Sequence, residues 1–354
     1  MSDKKILLVN NGYPTTCYPE YTTYIREIAE CLSKAGFNVE TLVIEYHKET
    51  SSIYKLCKYL RYWYCCIFKR GTYDFIYINH LPYAWPIAFN PFLRRKNTII
   101  HWHGNDLAGK SILSLTSSFF LKKFINNSIN IVPSQYFSIL LREKYPHLKH
   151  NIHISPSGGI DTVLLSTDVK PHKDITIGFA SALISEKGAD MLIYLSENKH
   201  EIEAGTGRSI TFNIINYGKA SKYYIDRMQQ ADKNCCKVFD RMNKREMPDF
   251  YNSIDLLVFP SLHESLGLAA LEAISCGVPV VAHNVCAFPE FIKPGVSGEL
   301  VDLKNSGNEQ NRAFLEAVVK VINNIESYTP RMVVETNYSK DSVTSFYRNL
   351  FENL

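Results

Sequence analysis

The sequence predicts an α/β protein built from two doubly wound, Rossmann-like domains that face each other across a cleft. Three observations carry this. The chain has 354 residues, more than one hydrophobic core usually organises. Short β-rich runs alternate with helical segments, the pattern of parallel strands joined by crossover helices. A second series of the same kind starts after the turn-rich stretch Pro156-Ser157-Gly158-Gly159.

In the first series the expected strands are Ile6–Val9, Val39–Ile44, Phe75–Ile78, Thr98–Trp102, Ile129–Val132 and Ile152–Ser155. Between the first two, residues 21–35 place Ile25, Ile28, Ala29 and Leu32 at helical spacing, and Gly36 stops the helix. The second series comprises Ile175–Ala180, Ile210–Ile215, Lys237–Phe239, Leu256–Phe259 and Val278–Ala282. Apolar periodicity lapses around Pro171-His172-Lys173. The expected domains are therefore 1–165 and 166–334. Residues 335–354 carry Val343, Phe346, Tyr347, Leu350 and Phe351 on one helical face and are expected to pack back on the N-terminal domain. Open α/β sheets bind ligands beyond the carboxyl ends of their strands, so two facing sheets would place the site in the cleft.

Composition narrows the class. With 45% hydrophobic and 21% charged residues the chain is that of a soluble globular protein. A formal net charge of +4 gives no basis for nucleic-acid binding. Nine cysteines, with no C-x-x-C and no zinc spacing, read as reduced thiols of a cytoplasmic protein. The opening apolar run is too short for an export signal, and no stretch reaches the length of a membrane span.

The densest chemical signal runs from Ser261 to Ala273, after the strand that ends at Phe259. Strand, glycine-containing turn and helix start follow in order. The amides of Leu266, Gly267 and Leu268 would be the open donors of a helix N-terminus, suited to a diphosphate. Glu264 and Glu272 flank that point and suit sugar and ribose hydroxyls, although both residues also read as ordinary helix-start and surface charges.

This stretch resembles glycosyltransferase family 4, the retaining enzymes of GT-B fold marked by E-x(7)-E. Glu264 and Glu272 match the marker, and the match continues through Ala273-Ile274-Ser275-Cys276-Gly277-Val278-Pro279-Val280-Val281-Ala282, then Pro289-Glu290 and Gly298. Ile154–Asp161 is similar to the family's interdomain segment, and Glu186-Lys187-Gly188 to its E-K-G. The resemblance implies a phosphate-contacting role for Lys187, a sugar-contacting role for His103 in His101-Trp102-His103-Gly104-Asn105-Asp106, and acceptor-side positions for Tyr18 and Asp106. It also implies transfer with retention and without a metal or other cofactor, the helix end and Lys187 standing in for a divalent cation. No D-x-D triplet occurs in the chain. If a covalent intermediate forms, Glu264 is the candidate nucleophile.

Three departures matter. Ser181-Ala182-Leu183 stands where the family has G-R-L, so a phosphate-gripping arginine is absent, and Arg241 is the candidate substitute. Cys17-Tyr18 stands where a Gly-Gly pair is usual, with Gly12 left to supply close backbone approach. Cys286-Ala287-Phe288 replaces a glycine pair ahead of Pro289-Glu290.

The expected function is transfer of a hexose or N-acetylhexosamine from a UDP- or GDP-linked donor to a glycan or lipid-linked glycan in surface polysaccharide or glycolipid synthesis. Residues 54–70 interleave five cations with aromatic residues, which suits peripheral contact with the inner face of the cytoplasmic membrane, whereas a core-facing amphipathic helix is the plainer account. Two other readings compete. One is a nucleotide-sugar-binding scaffold that has lost turnover. The other is a GT-B epimerase or phosphorylase. A dehydrogenase is disfavoured because Asn10-Asn11-Gly12-Tyr13-Pro14, not G-x-G-x-x-G, follows the first strand.

Overall fold

The computed structural model describes residues 4–18, 21–45, 51–93, 97–108, 121–148, 151–167, 174–218, 220–231, 235–304, 306–352 and 354. Two compact units emerge, one of residues 1–159 with 340–354, the other of residues 160–339.

The N-terminal unit holds a six-stranded parallel sheet of β1 (Lys5–Tyr13), β2 (Asn38–Glu45), β3 (Phe75–Asn79), β4 (Asn97–His101), β5 (Ile129–Val132) and β6 (Ile152–Ile154), in the order β2-β1-β3-β4-β5-β6. Alternation along β1 sends Leu7 and Val9 into one core and Ile6 and Leu8 into the other, as a sheet covered on both faces requires. Helix α1 (Thr23–Lys34) lies over the second face with Ile25, Ile28, Cys31 and Leu32 buried. The helix Lys340–Glu352 shares that face. Its Phe351 ring sits 4.6 Å from that of Phe37, and the Tyr347 hydroxyl pairs with that of Tyr77 at 2.8 Å.

The C-terminal unit repeats the plan with β7 (Ile175–Phe179), β8 (Ile210–Ile215), β9 (Cys236–Phe239), β10 (Leu256–Phe259), β11 (Val280–His283) and β12 (Gly298–Val301), ordered β12-β11-β10-β7-β8-β9 and all parallel. Each sheet reverses direction once, between β1 and β3 and between β7 and β10. The carboxyl ends of those strand pairs are where open α/β sheets take ligands. The α/β class with two doubly wound domains read from the sequence is the one observed.

The boundaries differ from the expected 165/166 and 334/335. Ile160 N–H bonds the Tyr338 carbonyl at 2.7 Å, and the Arg331 guanidinium donates to the carbonyls of Thr162, Leu165 and Ser275 at 2.6–2.9 Å. These bonds tie 160–165 to the C-terminal unit and move the breaks to 159/160 and 339/340. Of the interdomain stretch singled out in the sequence, Pro171-His172-Lys173 lies outside the described residues.

Strand β12 goes unread in the sequence because Glu299 interrupts it. Its carboxylate accepts from Tyr328 Oη at 2.9 Å and from the Gly295 amide at 3.1 Å, and pairs with Lys320 at 2.8 Å, so a charge is accommodated in a sheet edge. The expected strand from Val278 starts instead at Val280. Gly277, at φ +80°, ends the preceding helix, with Val278 N–H on the Ala273 carbonyl and Gly277 N–H on that of Ile274.

Candidate functional site

At the β7/β10 reversal, β10 runs through Pro260 into a loop that ends at Gly267. The helix Leu268–Ser275 begins there. Gly267 is left-handed at φ +89°, and a Cβ on it would lie 2.7 Å from Phe288 Cε1. The first turn closes with the amides of Ala270 and Leu271 on the Gly267 carbonyl, at 3.1 and 3.2 Å. The amides of Leu268 and Ala269 therefore precede the helix's own ladder, one residue later in register than the Leu266–Leu268 set expected. Leu266 is 2% exposed and anchors the turn by its side chain in the core.

Lys187 reaches this loop from the β7 side. Gly188, left-handed at φ +79°, presses against β10's end: a Cβ there would lie 2.3 Å from the Pro260 carbonyl oxygen. No other residue allows that approach. Leu262 N–H bonds the Glu186 carbonyl at 3.2 Å, and Lys187 Nζ forms an ion pair with Glu264 and donates to the His263 carbonyl at 3.3 Å. Ser261 Oγ donates to the same Glu264 oxygen at 3.3 Å. The two segments that the sequence separates by more than 70 positions are thus fastened into one cluster. The Lys187 and Glu264 side chains stay 28% and 16% exposed, open to a solute.

Glu272 sits one turn into the helix. Its Oε2 accepts from the fully buried Tyr251 hydroxyl at 2.9 Å. Burial, and then the Glu272 charge, push that phenol well above its usual range, so it stays a donor that orients the carboxylate. Tyr251 is invisible to sequence reasoning because a tyrosine ahead of a strand is an ordinary core residue.

Arg241 stacks 5.3 Å over the Tyr217 ring, and the Tyr217 carbonyl takes the Leu183 amide at 2.7 Å beside Ala182. The structure thus brings Arg241 to the loop that lacks the expected arginine. Cys286 has φ +53°, a conformation glycine favours, and its Sγ lies 3.7 Å from His263 Nδ1. The backbone of a glycine persists there without the glycine.

In the N-terminal unit the candidate residues gather at the ends of β1, β3 and β4. His103 follows β4 with its Nε2 2.7 Å from Asn79 Oδ1, and its ring lies 4.2 Å from His101, 5.0 Å from His80 and 4.9 Å from Tyr24. Tyr24 Oη and His80 Nε2 are 2.6 Å apart. Asp106 does not offer its carboxylate outward. It is 3% exposed and accepts the amides of His103, Gly104 and Leu107 at 2.7–3.0 Å, so it shapes the His103 loop. Gly12 is covered by its own chain: an added Cβ would meet Tyr21 Cε1 at 3.0 Å and Thr22 Cγ2 at 3.3 Å. Tyr18 closes a turn on Thr15, with its amide 3.2 Å from the Thr15 carbonyl. Among the described residues no group of three or more His, Cys, Asp or Glu is placed to hold a metal ion.

Burial, and then the neighbouring His101 and His80, hold His103 well below the ordinary imidazole range, and burial, with His80 beside it, holds His101 at about 3, so both are neutral hydrogen-bonding groups. The unfolded chain binds these protons below about pH 6.5 and the folded chain does not. Stability is therefore complete above pH 6.5 and falls as pH drops toward 3, by up to about 1.4 kcal/mol per pH unit for each such histidine. Urea unfolding at pH 7.5, 6 and 5 is expected to show this slope, and His101→Gln to remove about one proton's share of it. An unchanged slope in the variant would refute a neutral buried His101.

Residues 166–328, most of the C-terminal unit, match the family model described as glycosyl transferases group 1. An uncharacterised 41.2 kDa protein in the cps region of Klebsiella pneumoniae is 29% identical over 177 residues, 50% of this chain and 42% of that protein. An uncharacterised glycosyltransferase of Methanocaldococcus jannaschii is 28% identical over 254 residues, 70% of this chain and 66% of that protein. The chain thus spans less than two thirds of either relative's length. Among solved structures, a sucrose-phosphate synthase from Thermosynechococcus elongatus superposes with a TM-score of 0.74 at 16% identity, covering 99% of this chain and 100% of that one. Anabaena HepE in complex with UDP and glucose superposes with a TM-score of 0.67 at 18% identity, with the same coverage. The fold is GT-B.

Proposed function

We propose that the chain is a retaining, metal-independent glycosyltransferase of family 4. It moves a hexose or N-acetylhexosamine from a UDP-linked donor to a glycan or lipid-linked glycan, at the cytoplasmic face of the membrane, in surface-polysaccharide synthesis. The observation that carries the reading is the cluster at the β7/β10 reversal, where Gly188 on Pro260 brings Lys187 to Glu264 beside a helix N-terminus. The UDP and UDP-glucose in the titles of the HepE structures support the donor, and the cps-region relative supports the pathway.

In this reading the amides of Leu268 and Ala269 and the Lys187 ammonium neutralise the diphosphate as the glycosidic bond to it breaks. Glu272, oriented by Tyr251, takes the ribose hydroxyls. Glu264 binds hydroxyls of the transferred sugar, and neutral His103 offers a further hydrogen bond to it. The acceptor attacks from the face the diphosphate leaves, which retains the anomer, and a departing phosphate oxygen takes the acceptor proton. Arg241 supplies the second phosphate cation. Tyr18 narrows the acceptor side, and Asp106 acts through the His103 loop.

A second reading, a nucleotide-sugar-binding scaffold without turnover, is favoured by Ala182 and by the pairing of Lys187 with Glu264. One assay separates the two. Incubation with UDP- and GDP-sugars and a mixed glycan acceptor is expected to release UDP from one donor, equally with EDTA present, and to give a product of unchanged anomeric configuration. Donor-induced thermal stabilisation without nucleotide release from any donor would favour the scaffold.

A further inference from the structure

The helix α2 (Ser52–Phe68) leaves its apolar stripe uncovered. Ile53, Leu56, Leu60, Tyr64 and Phe68 recur three or four residues apart and are 51–75% exposed, and Cys57, on the same stripe, is also exposed. The face that docks on the unit is a different one, carrying buried Tyr62 and Cys66 with partly buried Tyr59 and Trp63. The plainer account, a core-facing helix with snorkelling cations, describes that docked face but leaves the exposed stripe of Ile53, Leu56, Leu60, Tyr64 and Phe68 unaccounted for.

The surroundings extend the patch. Trp63 Nε1 donates to the Tyr83 carbonyl at 2.9 Å, the Trp63 and Trp85 rings are 6.2 Å apart, and Trp85 is 5.8 Å from Phe89. Phe89 is 55% exposed, and Phe92, 43% exposed, carries the Arg70 guanidinium 4.4 Å over its ring. Residues 51–70 contain Lys55, Lys58, Arg61, Lys69 and Arg70 and no acid, and Lys69 pairs with Glu40 at 2.6 Å.

We infer that α2 and the adjoining Phe89–Phe92 rim form a surface that lies on an anionic lipid bilayer, with the apolar stripe at the level of the acyl-chain boundary and the cations among the headgroups. An exposed apolar stripe bordered by cations and interfacial aromatics is what such a bilayer stabilises: burial of the stripe adds to attraction of each cation by anionic lipid. Among the described residues no helix is long and apolar enough to span, so the contact is a peripheral one. A second copy of the chain is the poorer occupant, because a two-fold contact would set Arg61 and its neighbouring cations against their own copies. The inference names the surface that would serve a membrane-localised acceptor, but its test uses neither donor nor acceptor, so its failure leaves the proposed transfer standing.

The test is co-sedimentation of the full chain with vesicles of phosphatidylcholine alone and with about one third phosphatidylglycerol. The wild type is expected to pellet with the anionic vesicles, less so in high salt, and not with the neutral ones. Leu56→Glu/Leu60→Glu, checked for an unchanged thermal midpoint, is expected to lower the bound fraction about tenfold, and Lys55→Glu/Arg61→Glu to lower it comparably at low salt. Failure of the wild type to pellet, or equal pelleting of the stripe variant, would overturn the inference. So would a wild-type dimer in lipid-free sedimentation that the stripe variant dissociates, which would make the surface a contact between copies.

Discussion

Lys187→Ala is expected to lower the rate of donor turnover by about 10²–10³, the cost of removing one aimed donor from a site where charge develops. Two effects add. In the proposed reaction the cation that would meet the departing diphosphate is lost, and Glu264, which pairs with Lys187 and accepts from Ser261 on the same oxygen, would be left as an uncompensated negative charge beside that diphosphate. Because the second effect acts through Glu264, the double variant Lys187→Ala/Glu264→Gln is expected to recover donor affinity relative to Lys187→Ala while kcat stays low. Steady-state kinetics with UDP-binding calorimetry separates the two quantities. A Lys187→Ala protein within twofold of wild type in both would remove Lys187 from the chemistry.

The second large effect is expected at Gly188. An alanine there places a methyl 2.3 Å from the Pro260 carbonyl oxygen and 2.5 Å from Pro260 Cγ, at φ +79°. Left-handed strain and the forced shift against backbone together cost about 3 kcal/mol. Turnover is expected to fall further than stability alone explains, since the shift withdraws Lys187 from Glu264. Gly207 supplies the control. It caps the helix Lys199–Thr206 at φ +66° with nothing within 4 Å of an added Cβ, so Gly207→Ala is expected to cost only about 1 kcal/mol, with turnover unchanged. Equal effects of the two substitutions on turnover and on the urea midpoint would contradict the role given to the Gly188–Pro260 contact.

Where the sequence states a backbone preference locally, it is legible. Ile129–Val132, Ile210–Ile215 and Leu256–Phe259 are read to the residue because Leu256–Phe259 is a continuous apolar run and the other two are apolar or β-branched apart from one asparagine each, Asn130 and Asn213. β1 is read short, since Asn10, Asn11 and Gly12 carry no apolar signal and the strand runs on only by pairing with β2, where Tyr13 meets Glu45 after an irregularity. In the candidate site, the placement of Glu264 ahead of one helix and Glu272 within it is readable, while their spacing alone reads equally as ordinary helix-start and surface charges. Tyr251 on Glu272, Asn79 on His103 and Gly188 on Pro260 are not readable, because each contact joins segments 20 or more residues apart and exists only once strands are ordered in a sheet. Asp106 shows the converse: its place in a motif is readable, but its burial and its three backbone partners are not.

The nucleotide's diphosphate is expected to rest on the amides that open the helix Leu268–Ser275, next to Lys187, with the ribose on Glu272. A crystal of the protein grown with UDP tests this most directly. The prediction is phosphate oxygens within about 3 Å of the Leu268 or Ala269 amide and of Lys187 Nζ, with a ribose hydroxyl on the Glu272 carboxylate. UDP bound elsewhere on the chain, with that helix end and Glu272 untouched, would contradict it.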